Sequence, residues 1–282
     1  MKAILLLFCF LTSFLVFSQT TLDQLTGFTG DLRSNNQQIG SATLLEVSGN
    51  LFLVSAKHVL DGWQDKPITY TFYSTGKADD GGNTINILLS QSSLNKEIYF
   101  SQEFDVAAIH LGILSDDKSD LVFHLFDFVK YDAVNQLPVF KAGDIWPNED
   151  LALGIKIFTL GFPSELDRSS QIPVTLVSGI TSGFYQDGTI KCQLPVYGGN
   201  SGGPVFAYSP QSPGETRRGR MNYGENSAYL LGITTSFVPY VDGTKSARGN
   251  AIILTTNSGF AKIQPISRVL DLITNHILSG KD

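Results

Sequence analysis

Hydrophobic positions along this chain come in short runs separated by turn residues, which is the spacing of strands rather than of long helices. Gly40-Ser41-Ala42-Thr43-Leu44-Leu45-Glu46-Val47 and Leu51-Phe52-Leu53-Val54 flank Ser48-Gly49-Asn50, a pattern that predicts a hairpin. Residues 67–73 and 84–89 read as strands around the turn Asp79-Asp80-Gly81-Gly82, and 106–111 as another. A second block opens with 155–160, which ends in the turn Gly161-Phe162-Pro163. It continues with 174–178, then 189–192 after an Asp187-Gly188 turn, then 203–207, 229–235 and 251–255. One stretch breaks the rhythm: Ile266, Val269, Leu270 and Ile273 recur at helical spacing, with Pro265 suited to a first turn and Gly280 to a stop. The expected class is all-β, as antiparallel barrels or a sandwich, closed by a C-terminal helix over about 265–278.

Two stretches fit no strand. Residues 113–153 carry acidic turns, Asp116-Asp117 and Glu149-Asp150, and read as a crossover between a first β unit (about 27–112) and a second (about 154–262). Residues 208–227 are polar, with Arg217, Arg218 and Arg220 among Gly, Ser and Pro. They read as a solvated excursion, or more sharply as a substrate-facing or self-cleavage loop.

The N-terminus alters the picture of where the chain works. Lys2 precedes an apolar run that reaches Phe17, which reads as a secretory signal peptide over 1–18, with a single mature domain over 19–280. The run is short for a membrane-spanning helix, which needs roughly 20 residues, so no stable membrane insertion is expected after cleavage. The expected location is secreted or periplasmic, in a bacterium. Cys9 lies inside the signal, which leaves Cys192 alone and without an internal disulfide partner. A charge of −6 provides no basic field for phosphate backbones, so nucleic acid is not an expected partner. The 42% hydrophobic content is ample for a core.

The stretch richest in chemistry is Gly199-Asn200-Ser201-Gly202-Gly203-Pro204. A nucleophilic serine needs its hydroxyl held clear of the backbone and amide N–H groups converging where a tetrahedral oxyanion forms. Glycines allow the positive-φ conformations that turn those amides inward, and here Gly199 and Ser201 are placed to supply them. The serine also needs a base, and the base an orienting acid. His58 ends an apolar run at a strand-to-loop boundary, and Asp105 stands at the head of another. The other histidines fare worse: His110 lies mid-strand and reads as a barrel-surface residue, His124 falls in the crossover, and His276 is on the last helix.

With the order His58, Asp105, Ser201, the sequence resembles the chymotrypsin-like (trypsin-type) serine peptidases, nearest to the bacterial HtrA/Deg-type and V8-like branch. Ser55-Ala56-Lys57-His58 is similar to that family's histidine motif, Asp105-Val106-Ala107-Ala108-Ile109 to its aspartate motif, and Gly199 to Pro204 to its serine motif. Gly161-Phe162-Pro163 and Leu231-Gly232-Ile233-Thr234-Thr235 fit as well, and the likeness covers about residues 38 to 275. The resemblance implies two six-stranded antiparallel β-barrels with the active site between them. It implies His58 as general base, Asp105 as its orienter and Ser201 as nucleophile. It also implies Gly199 and Ser201 amides in the oxyanion hole, and Thr235, Ser236 and Phe237 as the strand that pairs with extended protein or peptide substrates. No cofactor and no metal are expected.

Departures from the family pattern narrow the expectation. Many animal members carry an Asp where this chain has Asn200, and an amide cannot pair with a new N-terminal ammonium. Activation by that route is therefore not expected. Pro195 and Val196 stand where trypsins place an acidic specificity residue, which disfavours a Lys or Arg side chain before the scissile bond. The few residues after 262 leave no room for a PDZ domain. Two alternatives stay open at this level. One is a catalytically silent binding module on the same fold. The other is an esterase or lipase, because Gly199-Asn200-Ser201-Gly202-Gly203 also matches a nucleophile elbow, although that elbow needs a helix next and 204–207 reads as strand.

Overall fold

The computed structural model describes residues 25–63, 66–73, 82–88, 97–115, 123–131, 137–147, 150–164, 174–209, 227–245 and 251–279. The signal peptide, Asp79 to Gly81, Asp116-Asp117, the arginines of 210–226 and Gly280 lie outside the described residues.

The predicted hairpin forms as β2 (Gln37–Val47) and β3 (Asn50–Ser55). Ser48 and Gly49 between them have φ of 52° and 79°, the paired positive values that a two-residue turn matched to strand twist requires. With β1 (Gly30–Ser34), β4 (Ile68–Phe72), β5 (Asn83–Ile87), β6 (Ile98–Phe100), β7 (Ala107–Leu114), β8 (Phe123–Leu125) and β9 (Val129–Tyr131) they make one antiparallel sheet. Its order is β6-β7-β3-β2-β1-β4-β5-β9, with β8 also paired to β7. β2 turns a corner: its first half pairs with β1 and Thr43 to Val47 pair with β3. That bend curls the sheet around Leu32, Leu44, Leu53, Tyr70, Phe72, Ile85 and Ile109.

The first unit departs from the expected closed six-stranded barrel. Among the described residues it is a curled nine-stranded sheet whose ends do not pair, and the stretch read as a crossover supplies β8 and β9 to it. Closure depends on two edge strands meeting in register. The alternation within each strand carries no record of that.

The second unit does close. β10 (Lys156–Gly161), β11 (Thr175–Phe184), β12 (Ile190–Gln193), β13 (Pro204–Ser209), β14 (Ser227–Lys245) and β15 (Ala251–Pro265) form a barrel in the order β10-β11-β12-β15-β14-β13. Ile157, Ile190, Cys192, Leu194, Val205 and Ile263 fill it.

A third apolar cluster joins the two units. Phe52, Val54, Val106 and Ala108 of the first sheet meet Phe206, Leu230 and Ile233 of the barrel and Ile266, Val269 and Ile273 of the C-terminal helix, Ile266–Ser279. Pro265 is the last strand residue and pairs with Gly232, so the helix starts one residue later than its proline suggests. Each of those three helix side chains is buried, a contribution of about 1.5–3 kcal/mol apiece.

Both faces of β7 are covered, Ile109 and Leu111 by the sheet core and Ala108 by the helix side, which is why 106–111 is apolar throughout. For the same reason His110 is not the surface residue expected. Its ring stacks on Phe52 at 4.7 Å and meets Phe126 edge-on at 4.8 Å. The connector between the units is also anchored. Phe140 exchanges backbone hydrogen bonds with Leu44 and Glu46 of β2, and the Trp146 amide donates to Leu230 of β14. Among the described residues no helix is long and apolar enough to cross a membrane.

Candidate active site

His58 sits in a single helical turn, Lys57–Leu60, that follows β3 directly, and Asp105 closes the loop leading into β7. Because β3 and β7 are neighbours, with Ser55 opposite Ala107, the two residues emerge from the same end of the sheet. The Asp105 carboxylate accepts twice from His58. Its Oδ2 lies 2.8 Å from the ring Nδ1, and its Oδ1 takes the His58 backbone N–H at 3.0 Å. Burial pulls the Asp105 carboxyl upward, but those hydrogen bonds from the His58 ring and amide outweigh it and hold the group below its usual range. The carboxylate is thus ionised at neutral pH and holds the imidazole by Nδ1, leaving Nε2 with no hydrogen-bond partner among the described residues.

The loop carrying Asp105 is braced from several sides. Lys57 Nζ donates to the Ser101 carbonyl at 2.8 Å, and Ser101 Oγ accepts the amides of Glu103 and Phe104. Arg268 of the C-terminal helix stacks its guanidinium 3.7 Å above the Phe104 ring. Its N–H groups donate to Thr189 Oγ1, to Gln264 and to the Asp187 carbonyl of the β11–β12 turn. Arg268→Met is expected to cost about 2 kcal/mol, given the charged hydrogen bonds lost. A melting temperature lower by roughly 4–8 °C for a chain of this size would check it.

Ser201 lies on the loop before β13. Gly202 packs against Ser41, Ser55 and Ala56, so little space separates this loop from the residues just before His58. Ser41 of the first sheet grips the loop at two points: its N–H donates to the Ser201 carbonyl at 2.8 Å and its Oγ to the Gly199 carbonyl at 2.7 Å. The Ser201 hydroxyl itself donates to the Thr235 carbonyl at 3.1 Å. It has no hydrogen bond with His58.

The peptide planes of this loop alternate, and the alternation aims its amides. The N–H and C=O of a trans peptide point in opposite directions. The Gly198 carbonyl is held by the Ser164 N–H at 2.7 Å and Oγ at 3.1 Å, so the Gly199 N–H faces the other way. The Gly199 carbonyl goes to Ser41, and the Asn200 N–H turns back to the Tyr197 carbonyl. The Asn200 carbonyl accepts from Gly203, so the Ser201 N–H faces away from that bond. Neither the Gly199 amide nor that of Ser201 donates to a described residue. Gly199 adopts φ of 95°, which a side chain would strain. Ser41 and Ser164 were invisible in the sequence: each is a plain serine, and their contacts at Gly199 and Gly198 span distant parts of the chain.

The remaining nominated residues fall into two groups. Thr235, Ser236 and Phe237 lie on β14 beside Ser201, with Thr235 buried, Thr235 Oγ1 donating to the Lys262 carbonyl, and Phe237 exposed. Pro195 faces outward, whereas Val196 is buried in the barrel core, its carbonyl accepting from the Asn257 side chain. Asn200 is fully buried with neither amide atom hydrogen-bonded. A neutral amide tolerates that setting far better than an unpaired carboxylate. Among the described residues no group of three His, Cys, Asp or Glu side chains is placed to hold a metal ion. His124 is exposed on β8, and His276 stacks on Tyr99, both away from Ser201.

Cys192 lines the barrel interior, where burial pushes its thiol up to about 12. Iodoacetamide at pH 8 is expected to leave it unmodified in the folded protein and to alkylate it fully in denaturant, read by intact mass.

Residues 40–211 match the model of the trypsin-like peptidase domain. No curated protein matches the sequence. Among solved structures, the HtrA-type protease AlgW with tripeptide is 16% identical with a TM-score of 0.52, and the alignment covers 93% of this chain but 64% of that one. A serine endoprotease from Yersinia pestis is 17% identical with a TM-score of 0.52, covering 94% of this chain and 67% of that one. At such identities the structures share a fold with this protein, while the domain match spans more than half of its length: the chain belongs to the trypsin-like serine peptidases.

Proposed function

We propose that this protein is an exported serine endopeptidase that cleaves peptide bonds through an acyl-enzyme on Ser201. The observation that carries the reading is the pair of unengaged amides, Gly199 and Ser201, on a loop packed against the residues just before His58, whose ring Asp105 holds. In this reading His58 Nε2 takes the Ser201 hydroxyl proton as Oγ attacks the substrate carbonyl. Asp105 holds the ring by Nδ1 and stabilises the imidazolium that results. The Gly199 and Ser201 N–H groups receive the oxyanion. His58 then protonates the leaving amine; water, deprotonated in turn by His58, attacks the ester, and as the bond to Ser201 breaks His58 returns that proton to Oγ. Thr235 has two tasks here. Its carbonyl accepts the N–H of the residue before the scissile bond, which releases the Ser201 hydroxyl toward His58.

A strand, β13, directly follows the serine loop, which argues against the nucleophile elbow of esterases, where a helix must follow. The bond from Ser201 to Thr235 favours a second reading, a silent module whose serine never engages the base. Incubating the exported protein with a mixture of unstructured peptides and sequencing the products separates the two. Internal cleavage is expected. Intact peptides after prolonged incubation, with a folded protein, would overturn the peptidase reading.

A further inference from the structure

β14 does not stop where the barrel stops. Its pairing with β13 ends at Ile233, but it runs on from Ser236 to Lys245 with β15 on one side only. Among the described residues the other edge of this ribbon has no strand beside it. That free edge belongs to the same strand as Thr235 to Phe237, the segment that borders Ser201, with register shifts between Thr234 and Ser236 and between Phe237 and Pro239. Its exposed side chains are apolar to an unusual degree: Phe237 is 37% exposed, and Tyr240 and Val241 are each 59% exposed. Proteins normally guard free edges with charge, bulges or proline. Here the register shift between Phe237 and Pro239, the N–H that Pro239 lacks and the charge of Asp242 guard single points, while Tyr240 and Val241 between them stay exposed.

We propose that the edge of β14 from Phe237 to Lys245 is an extended acceptor for the segment of an unfolded polypeptide substrate that precedes the scissile bond. This rests on the peptidase reading above. A substrate strand antiparallel to Thr235–Phe237 runs, toward its own N-terminus, along β14 toward Lys245, and resumes pairing with the ribbon past the irregularity between Phe237 and Pro239. At about 3.3 Å per residue, the nine positions from Phe237 to Lys245 span about 30 Å. A folded surface cannot supply so long an extended strand. The substrate class is therefore unfolded chain with about ten residues ahead of the cleaved bond, held by main-chain hydrogen bonds and by apolar side chains against Tyr240 and Val241.

Two fluorogenic peptides with the same scissile bond, one with four and one with twelve residues before it, test this. The wild-type protein is expected to cleave the long peptide with about tenfold higher kcat/KM, through a lower KM. In Tyr240→Ser/Val241→Ser, a change at exposed positions, that advantage shrinks to within twofold while the short peptide is cleaved as before. Equal kcat/KM for both peptides in the wild type, or an advantage the variant retains, would overturn the proposal. So would a concentration-dependent dimer in sedimentation equilibrium that the variant disperses, because the occupant would then be a second copy. Failure of the peptidase reading looks different: neither peptide is cut and no fluorophosphonate attaches. Binding of both uncleaved peptides to the Ser201→Ala protein, read by anisotropy, then decides the edge on its own, with tighter binding of the long peptide supporting it and equal binding sinking it.

Discussion

Ser201→Ala is expected to abolish both peptide cleavage and covalent labelling by a fluorophosphonate. The loss in kcat is on the order of 10⁵–10⁶-fold, the size seen when a triad nucleophile is removed and only the oxyanion site and substrate binding remain. The fold should be untouched. Among the described residues the Ser201 hydroxyl makes one hydrogen bond, to the Thr235 carbonyl, and the backbone contacts that hold the loop, Ser41 to the Ser201 and Gly199 carbonyls, do not involve it. Intact-mass analysis after labelling gives one adduct on the wild-type chain and none on the variant, with matching circular dichroism. An adduct that survives the substitution would place the nucleophile elsewhere.

Asp105→Asn is expected to lower kcat by about 10⁴-fold with little change in KM. The reason is the tautomer. An asparagine oxygen can still accept the His58 backbone N–H, as Oδ1 does now at 3.0 Å, so the local shape survives. Its amide would instead donate to ring Nδ1, where the carboxylate now accepts at 2.8 Å. The proton is then forced onto Nε2, where it blocks the imidazole from acting as a base toward Ser201. Single-turnover kinetics on one peptide measures the drop, and a kcat within tenfold of wild type would remove Asp105 from the mechanism. The same carboxylate adds a pH signature to stability. Because its folded pKa is lowered, its contribution is present above the ordinary aspartate pKa, near 4, and is lost as pH falls through the folded value. Neutralising the carboxylate by substitution should therefore flatten stability against pH below about 4.

Much of this was legible along the chain because it is local. The Ser48-Gly49 hairpin, the strand 106–111 and the helix face Ile266, Val269 and Ile273 are patterns of neighbouring residues, and backbone sterics or periodicity enforce each within a few positions. Three motifs placed side by side nominated His58, Asp105 and Ser201. The misreadings were all non-local. The first sheet took β8 and β9 from the supposed crossover, because edge strands pair with whatever chain reaches them. His110 reads as a surface residue from its place in the strand, whereas Phe52 and Phe126 cover its ring.

The residues of this polypeptide determined on their own which segments extend, where they reverse, and which side chains have the chemistry to attack, relay and orient. Tertiary structure alone decided how those side chains are aimed. Ser164 and Ser41 set the peptide planes around Gly199, Arg268 props Phe104 beside Asp105, and the Ser201 hydroxyl rests on Thr235. Each of those contacts joins positions remote in sequence. Short-range propensity cannot encode them: their free energy is realised only once the apolar cluster of Phe52, Phe206 and Ile266 has drawn both units together.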